Sequence, residues 1–163
     1  MFNLDQFADL FSLLRERFQE KQDYLNTLDS VVGDSDHGFT MARTFQAAEL
    51  ASRGEYPELG ELFDAVAEAM AENAGGAIGP LLAALFAEGG MVLRDKEQLE
   101  LDDLAAFLKG GLAAVQEVGG AQPGDKTLVD ALHPAEEILE KKQIPSLKQG
   151  LEAAAGAAPK GAE

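Results

Sequence analysis

The chain has 163 residues, 46% of them hydrophobic, which is enough to bury one core and predicts a single domain over residues 1–163. Its 13 Lys and Arg stand against 29 Asp and Glu, giving a formal net charge of -16, which argues against a partner made of nucleic acid or an anionic membrane. The sequence contains no Cys, so disulfides, thiolate zinc sites and cysteine nucleophiles are excluded.

The N-terminus reads MFNLDQFADLF and lacks the basic start and continuous apolar run of a secretory signal. The sequence also has no stretch of about 18 apolar residues that would span a bilayer. We therefore expect a soluble, cytoplasmic protein.

Amphipathic helices are predicted along most of the chain, because apolar residues recur at spacings of three and four. This pattern covers residues 4–18, 59–70, 101–115 and 132–139, and Gly or Pro interrupts the chain at 53–57, 75–80, 89–90, 119–124 and 144–145. No segment alternates over a strand length, so no strand is predicted. The fold class is all-α, an antiparallel up-and-down bundle or barrel of about seven helices, with a tail that frays from about residue 153.

The first loop with candidate chemistry reads LDSVVGDSDHG and contains Asp29, Asp34 and Asp36. In an extended segment, side chains two residues apart point the same way, so Asp34 and Asp36 can converge. Oxygen-only ligands of this kind suit Mg²⁺, which is usually held by one or two carboxylates together with waters and substrate phosphates. The structural alternative is that Asp36 caps a helix beginning near His37 and Asp34 lies in a turn.

The second loop reads NAGGAIGPLLAALF, where Gly75, Gly76 and Gly79 surround a predicted helix start and Pro80 lies near the first turn. Free backbone N–H groups at such a helix start can cradle a phosphate. The alternative is that the glycines only allow close helix packing.

The third loop reads GGAQPGDKTLVDALHPA. Lys126 supplies a cation, and Thr127 either caps the next helix or offers its hydroxyl to a phosphate. His133 falls inside the following helix, before Pro134, and we interpret it as structural.

Taken in order, LDSVVGDSDHG, GGAIGP and GAQPGDKTLVDALHPA resemble the signature loops of the nucleotide-binding L subunit, or C-terminal kinase domain, of dihydroxyacetone kinases. The resemblance runs from about Leu25 to Ala135 in the family's order and spacing. It implies an antiparallel eight-helix barrel that binds a nucleotide at one end through its inter-helix loops.

The resemblance also implies the site residues. The family's three metal-binding aspartates match Asp29, Asp34 and Asp36, which would hold two Mg²⁺ between the protein and the phosphates of ATP or ADP. The family's nucleotide contacts match residues in all three loops: His37, Gly38, Phe39, Thr40, Gly76, Ala77, Ile78, Gly119, Thr127 and Leu128.

Three departures from the family pattern stand out. Ile78 replaces the usual Ser in GGASGP, which removes a phosphate-facing hydroxyl, and Thr40 stands where Asn is common. The chain ends at Glu163, before the family's last helix and its closing glycine-rich and Asp-Pro-Gly segments. The resemblance then implies a nucleotide that is held more openly.

The activity implied is phosphoryl transfer to dihydroxyacetone bound on a separate K-type subunit, with no catalytic residue on this chain beyond the metal site. The alternative is a degenerate, non-catalytic relative that works as a nucleotide-binding, metal-binding or regulatory module, motivated by Ile78 and the early C-terminus. The phosphoryl donor, either ATP or a phosphotransferase-system protein, stays open. The oligomeric state also stays open, and the sequence is compatible with a homodimer.

Overall fold

A computed structural model describes residues 1–31, 33–141 and 143–161. Val32 of the first loop and Ala162 and Glu163 of the tail lie outside the described residues. The described residues form eight helices: α1 Leu4–Glu20, α2 Gln22–Asp29, α3 His37–Ser52, α4 Leu59–Asn73, α5 Ile78–Met91, α6 Leu101–Gly119, α7 Leu128–Lys141 and α8 Leu147–Gly161. The all-α class is confirmed.

The helix count differs from the prediction because Lys21 separates α1 from α2 and makes two helices of the first segment. Lys21 has φ -94° and ψ 3°, and its N–H still donates to the carbonyl of Arg17. The absence of strands was also wrong in one detail, since β1 Phe2–Asn3 pairs antiparallel with β2 Gln98–Leu99. Two-residue strands are too short to show the alternation by which strands are recognised in a sequence.

The tail, expected to fray from about residue 153, is instead helical to Gly161 within α8. Gly150 and Ala154 are buried one turn apart on this helix. A methyl group on Gly150 would lie 3.5 Å from Leu139 and would collide with Leu101, so the glycine lets α8 pack closely on α6 and α7. Tertiary packing therefore stabilises a segment whose composition suggests fraying.

Gly89 and Gly90, expected to interrupt the chain, are buried inside α5. A Cβ atom on Gly89 would lie 2.9 Å from the ring of Phe107, and one on Gly90 would lie 2.5 Å from the Cβ of Phe63. These glycines therefore serve close contact with α6 and α4 rather than a turn.

Aromatic side chains fill the centre of the bundle. Phe63 is almost fully buried, and its ring lies 5.0 Å from Phe7, 5.1 Å from Phe107 and 6.0 Å from Phe86. These rings join α1, α4, α5 and α6, and such pairs stabilise beyond the area they bury. None of the described helices combines the length and the hydropathy that a membrane span requires.

Helices that follow one another in the chain also pack against one another from α3 through α8. Because short connections make such neighbours antiparallel, alternate loops lie at the same end of the bundle. The α2–α3, α4–α5 and α6–α7 loops are alternate connections, and they are the three loops that the sequence singles out.

Candidate functional site

Three carboxylates converge in the loop between α2 and α3. One oxygen of each of Asp29, Asp34 and Asp36 can be chosen so that all three lie within 4.8 Å of one another. Asp29 ends α2 and is half-buried, whereas Asp34 and Asp36 are exposed. We call these three residues the aspartate cluster.

Asp36 does not cap α3 with its side chain, although it occupies the N-cap position. The cap comes from α2 instead, where the side-chain oxygen of Asn26 accepts hydrogen bonds from the N–H groups of Gly38 at 2.7 Å and Phe39 at 3.3 Å. The capping alternative from the sequence is therefore wrong for Asp36. Its carboxylate is left to face the other two.

Close approaches of the backbone shape this loop. A Cβ atom on Gly33 would overlap the carboxylate of Asp29, and one on Gly38 would overlap the carbonyl of Gln22 on α2. Ser35, between the two exposed aspartates, has a positive φ of 65°, which turns the chain between them. The N–H of Asp36 donates to Asp29 at 3.2 Å and closes the loop.

The electrostatics of the aspartate cluster favour a cation. A side-chain hydrogen bond with Asp34, then partial desolvation and the charges of Asp34 and Asp29, raise the pKa of Asp36 above its ordinary value of 3.8. Arg43 opposes this rise only in part. Carboxylates that repel one another and offer only oxygen ligands fit a hard divalent ion such as Mg²⁺.

The glycine-rich loop presents the start of α5 to the same cleft. Gly76 has φ 65°, a conformation that favours glycine, and Ala77 occupies the N-cap position. No described side chain caps this helix start, so its first N–H groups are available to an anion. The geometry of this loop is therefore compatible with phosphate binding by the N–H groups at the start of α5.

The third loop is capped internally. The hydroxyl of Thr127 accepts from the N–H of Val129 at 3.2 Å, and the carboxylate of Asp130 accepts from Thr127 at 2.8 Å and Gly124 at 2.6 Å. These N–H groups hold the pKa of Asp130 below its ordinary value of 3.8. Thr127 thus caps α7, and because a hydroxyl that accepts one hydrogen bond can still donate another, its contact with a nucleotide stays a prediction.

The three loops border one cleft of about 410 Å³, here called the aspartate cleft. Its walls bring together most of the predicted site residues: Asp29, Asp34, Asp36, His37, Thr40, Gly76, Ala77, Ile78 and Leu128. Gly75 and Leu81 complete the lining.

Four predicted nucleotide contacts lie outside this lining. Gly38 is buried against α2, Phe39 is 56% exposed on the neighbouring surface, and Thr127 is exposed at its cap. Gly119 ends α6 close behind the wall, since a Cβ there would lie 3.0 Å from Leu81.

Sequence reasoning missed Asn26, Leu81 and Arg43. Asn26 acts on Gly38 across two helices, which leaves no local signal in the sequence. Leu81 reads as one more apolar position of an amphipathic helix. Arg43 follows Thr40 by one turn, and this spacing is the only sequence signal for its place.

Most of this chain matches one protein family. The DAK2 domain family matches residues 31–163, a range that contains the cluster's Asp34 and Asp36 and both other loops. The chain belongs to the DAK2 domain family. The resemblance to the L-type domain of dihydroxyacetone kinases is thereby confirmed.

The relatives of this DAK2 domain include named kinase subunits. It is 35% identical over 134 residues to the ADP-binding subunit of the PTS-dependent dihydroxyacetone kinase of Lactococcus lactis, covering 80% of this chain and 66% of that one. It is 31% identical over 149 residues to the corresponding PEP-dependent subunit of Escherichia coli, covering 90% of this chain and 71% of that one.

The fold has solved counterparts. The dihydroxyacetone kinase of Citrobacter freundii in complex with AMP-PNP and Mg²⁺ matches with a TM-score of 0.76 and 30% identity, over 96% of this chain and 28% of that one. Its native form matches with a TM-score of 0.79 and 29% identity, over 100% of this chain and 29% of that one. This DAK2 domain thus spans less than a third of that kinase, and 66% and 59% of two of its subunit relatives.

Proposed function

We propose that this DAK2 domain is the Mg-nucleotide-binding component of a phosphotransferase that phosphorylates a small ketose. The observation that carries the proposal is the aspartate cluster, whose oxygens lie within 4.8 Å in the cleft that the other two loops also line. A carboxylate group of this kind beside an uncapped helix start suits metal and phosphate together.

The residues of the cleft divide the work of binding. Asp29, Asp34 and Asp36 would hold two Mg²⁺, which when bound neutralise the phosphate oxygens and the developing charge of phosphoryl transfer. The N–H groups at the start of α5 face the phosphates, while Leu81 and Leu128 offer apolar surface to the rest of the nucleotide. Such catalysis is mostly positioning and electrostatic stabilisation.

A separate K-type subunit would supply the phosphoryl acceptor. Relatives are named as ADP-binding subunits of dihydroxyacetone kinases, which supports a divided enzyme, and as PTS-dependent or PEP-dependent, which supports a protein phosphoryl donor. A D-erythrulose kinase of Mycolicibacterium smegmatis, 34% identical over 138 residues, supports small ketoses as the acceptor class. We place this work in the cytoplasm.

Calorimetry with ADP and ATP, with and without Mg²⁺, tests the nucleotide site. We expect binding that requires Mg²⁺, and absence of binding at millimolar nucleotide would overturn the proposal. Adding a K-type subunit with dihydroxyacetone or erythrulose then tests turnover. Supplying ATP in one arm and a phosphorylated phosphotransferase-system protein in the other distinguishes the two donors.

One observation favours a second candidate, a non-catalytic nucleotide-binding module. Ile78 lines the aspartate cleft and packs partly against the core, so a branched alkyl group stands where the family's usual Ser offers a hydroxyl. Metal-dependent nucleotide binding without turnover, in the presence of a K-type subunit and either donor, would favour this candidate over the kinase.

A further inference from the structure

One arginine beside the aspartate cleft forms no ion pair within the part of the chain that the structure describes. Arg15, Arg17, Arg53 and Arg94 each form an ion pair with an Asp or Glu. Arg43 on α3 is exposed and forms no ion pair with any residue that the structure describes. In a chain with 29 Asp and Glu, this leaves a guanidinium available to an external anion.

Arg43 reaches the edge of the aspartate cleft. Its Nη2 lies 3.5 Å from the point where a Cβ on Gly75 would sit, and the hydroxyl oxygen of Thr40 lies 3.9 Å from the same point. Thr40 and Arg43 are one turn apart on α3 and therefore share a face. The guanidinium thus stands beside the glycine-rich loop that begins α5.

Arg43 also lines a second cleft of about 650 Å³, here called the arginine cleft. The two clefts share Asp36 and Thr40, so they meet at one member of the aspartate cluster. The remaining walls of the arginine cleft include Arg15, Gln19, Gln22, Phe39 and Gln46. None of these is acidic, so the cleft is open to an anion on the side away from Asp36.

We propose that Arg43 binds the outermost phosphate of the nucleotide held at the aspartate cluster and stabilises the phosphoryl group during transfer. This inference rests on the proposed function. The apolar wall at Leu81 and Leu128 suits the nucleoside, so the phosphate chain extends past Asp36 toward the arginine cleft. A planar guanidinium offers two parallel N–H donors to phosphate oxygens.

Arg43 forms no covalent bond in this step. With ATP as donor, the bond between the outermost phosphorus and its bridging oxygen breaks, and the electron pair stays with ADP. The new bond joins that phosphorus to a hydroxyl oxygen of the acceptor, whose proton passes to a base on the acceptor's subunit or to water.

Nucleotides of different length provide the test. Calorimetry in Mg²⁺ compares AMP, ADP and AMP-PNP on the unaltered chain, Arg43→Gln, Arg43→Lys and the control Arg17→Gln, which alters an exposed arginine of α1. We expect Arg43→Gln to weaken AMP-PNP binding about 10- to 100-fold while leaving AMP binding unchanged. Arg43→Lys keeps the charge but loses the two parallel N–H donors, so its affinity for AMP-PNP should fall by an intermediate factor.

The pattern across ligands separates the outcomes. A loss that is equal for AMP and AMP-PNP, or no loss for either, would overturn the role of Arg43 while leaving the proposed function standing. No Mg-dependent binding by the unaltered chain would remove both proposals. Should Arg43→Gln fail to fold, Arg43→Lys provides the same comparison of AMP with AMP-PNP. We expect Arg43→Lys to lose affinity for AMP-PNP but not for AMP.

Discussion

The side-chain oxygen of Asn26 on α2 accepts a 2.7 Å hydrogen bond from the N–H of Gly38 at the start of α3. This bond spans the loop that carries Asp34 and Asp36, so one side chain fixes both ends of the aspartate cluster's loop. It also satisfies a helix N-terminus that Asp36 would otherwise cap.

Replacing Asn26 by Ala should therefore lower both stability and nucleotide binding. Loss of a helix cap costs about 0.5–2 kcal/mol, and the loosened loop should weaken Mg-ADP binding as well. Urea unfolding and calorimetry measure the two effects. Thr27→Ala is the matched control, because Thr27 is exposed and its hydroxyl bonds within α2. Equal behaviour of the two variants would refute the capping role.

Asp34→Asn should abolish the Mg²⁺-dependent part of ADP binding, because it removes one carboxylate of the aspartate cluster. It also relieves repulsion with Asp36, so the metal-free protein should unfold at an equal or higher temperature. Thermal unfolding with and without Mg-ADP tests both points. Asp9→Asn, at an exposed position of α1, serves as the control and should keep the full ligand-induced shift. A normal shift in Asp34→Asn would contradict the metal assignment.

Ile78→Ser should strengthen nucleotide binding at a cost in stability. The new hydroxyl faces the aspartate cleft, where a hydrogen bond to a phosphate is worth about 1.5–3 kcal/mol. Ile78 is half-buried, so its loss should destabilise the fold by about 1–2 kcal/mol. Ile78→Ala loses the same apolar contacts without gaining the hydroxyl. Equal affinity of Ile78→Ser and Ile78→Ala for Mg-ADP would show that no phosphate reaches this position.

Glu49→Gln should lower stability at neutral pH. Glu49 is 9% exposed, and bonds from Arg53 at 2.9 Å and Arg15 at 3.0 Å hold its pKa below its ordinary value of 4.5. A depressed pKa in the folded state contributes stability above pH 4.5, which is lost as the pH falls through the folded-state pKa.

The expected difference is about 1–3 kcal/mol at neutral pH and shrinks in acid. Urea unfolding across this pH range measures it, with the exposed Glu68→Gln as control. A difference that does not change with pH would show that Glu49 acts through packing rather than through its charge.

Helical periodicity in the sequence was sufficient for the all-α class and for the starts of α1, α4 and α6. Burial of one face repeats along the chain at 3.6 residues, and this signal is local. The same signal could not show that α1 ends at Glu20, or that Gly89, Gly90 and the tail belong inside helices. Whether these glycines interrupt a helix or lie inside one depends on which neighbouring helix packs against them.

The sequence by itself determined which chemical groups are available, namely carboxylates two residues apart and a glycine-rich helix start. It also determined that three loops follow one another in the family's order. The tertiary structure decided which of these groups meet and which are already engaged. Asn26 caps α3 in place of the carboxylate of Asp36, Asp130 and Thr127 accept hydrogen bonds from N–H groups at the start of α7, and Arg43 lies at the edge of the aspartate cleft. The physical reason is that a hydrogen bond or a charge acts through space, so a side chain on another helix, as Asn26 does for α3, can engage a group that its neighbours in sequence leave free.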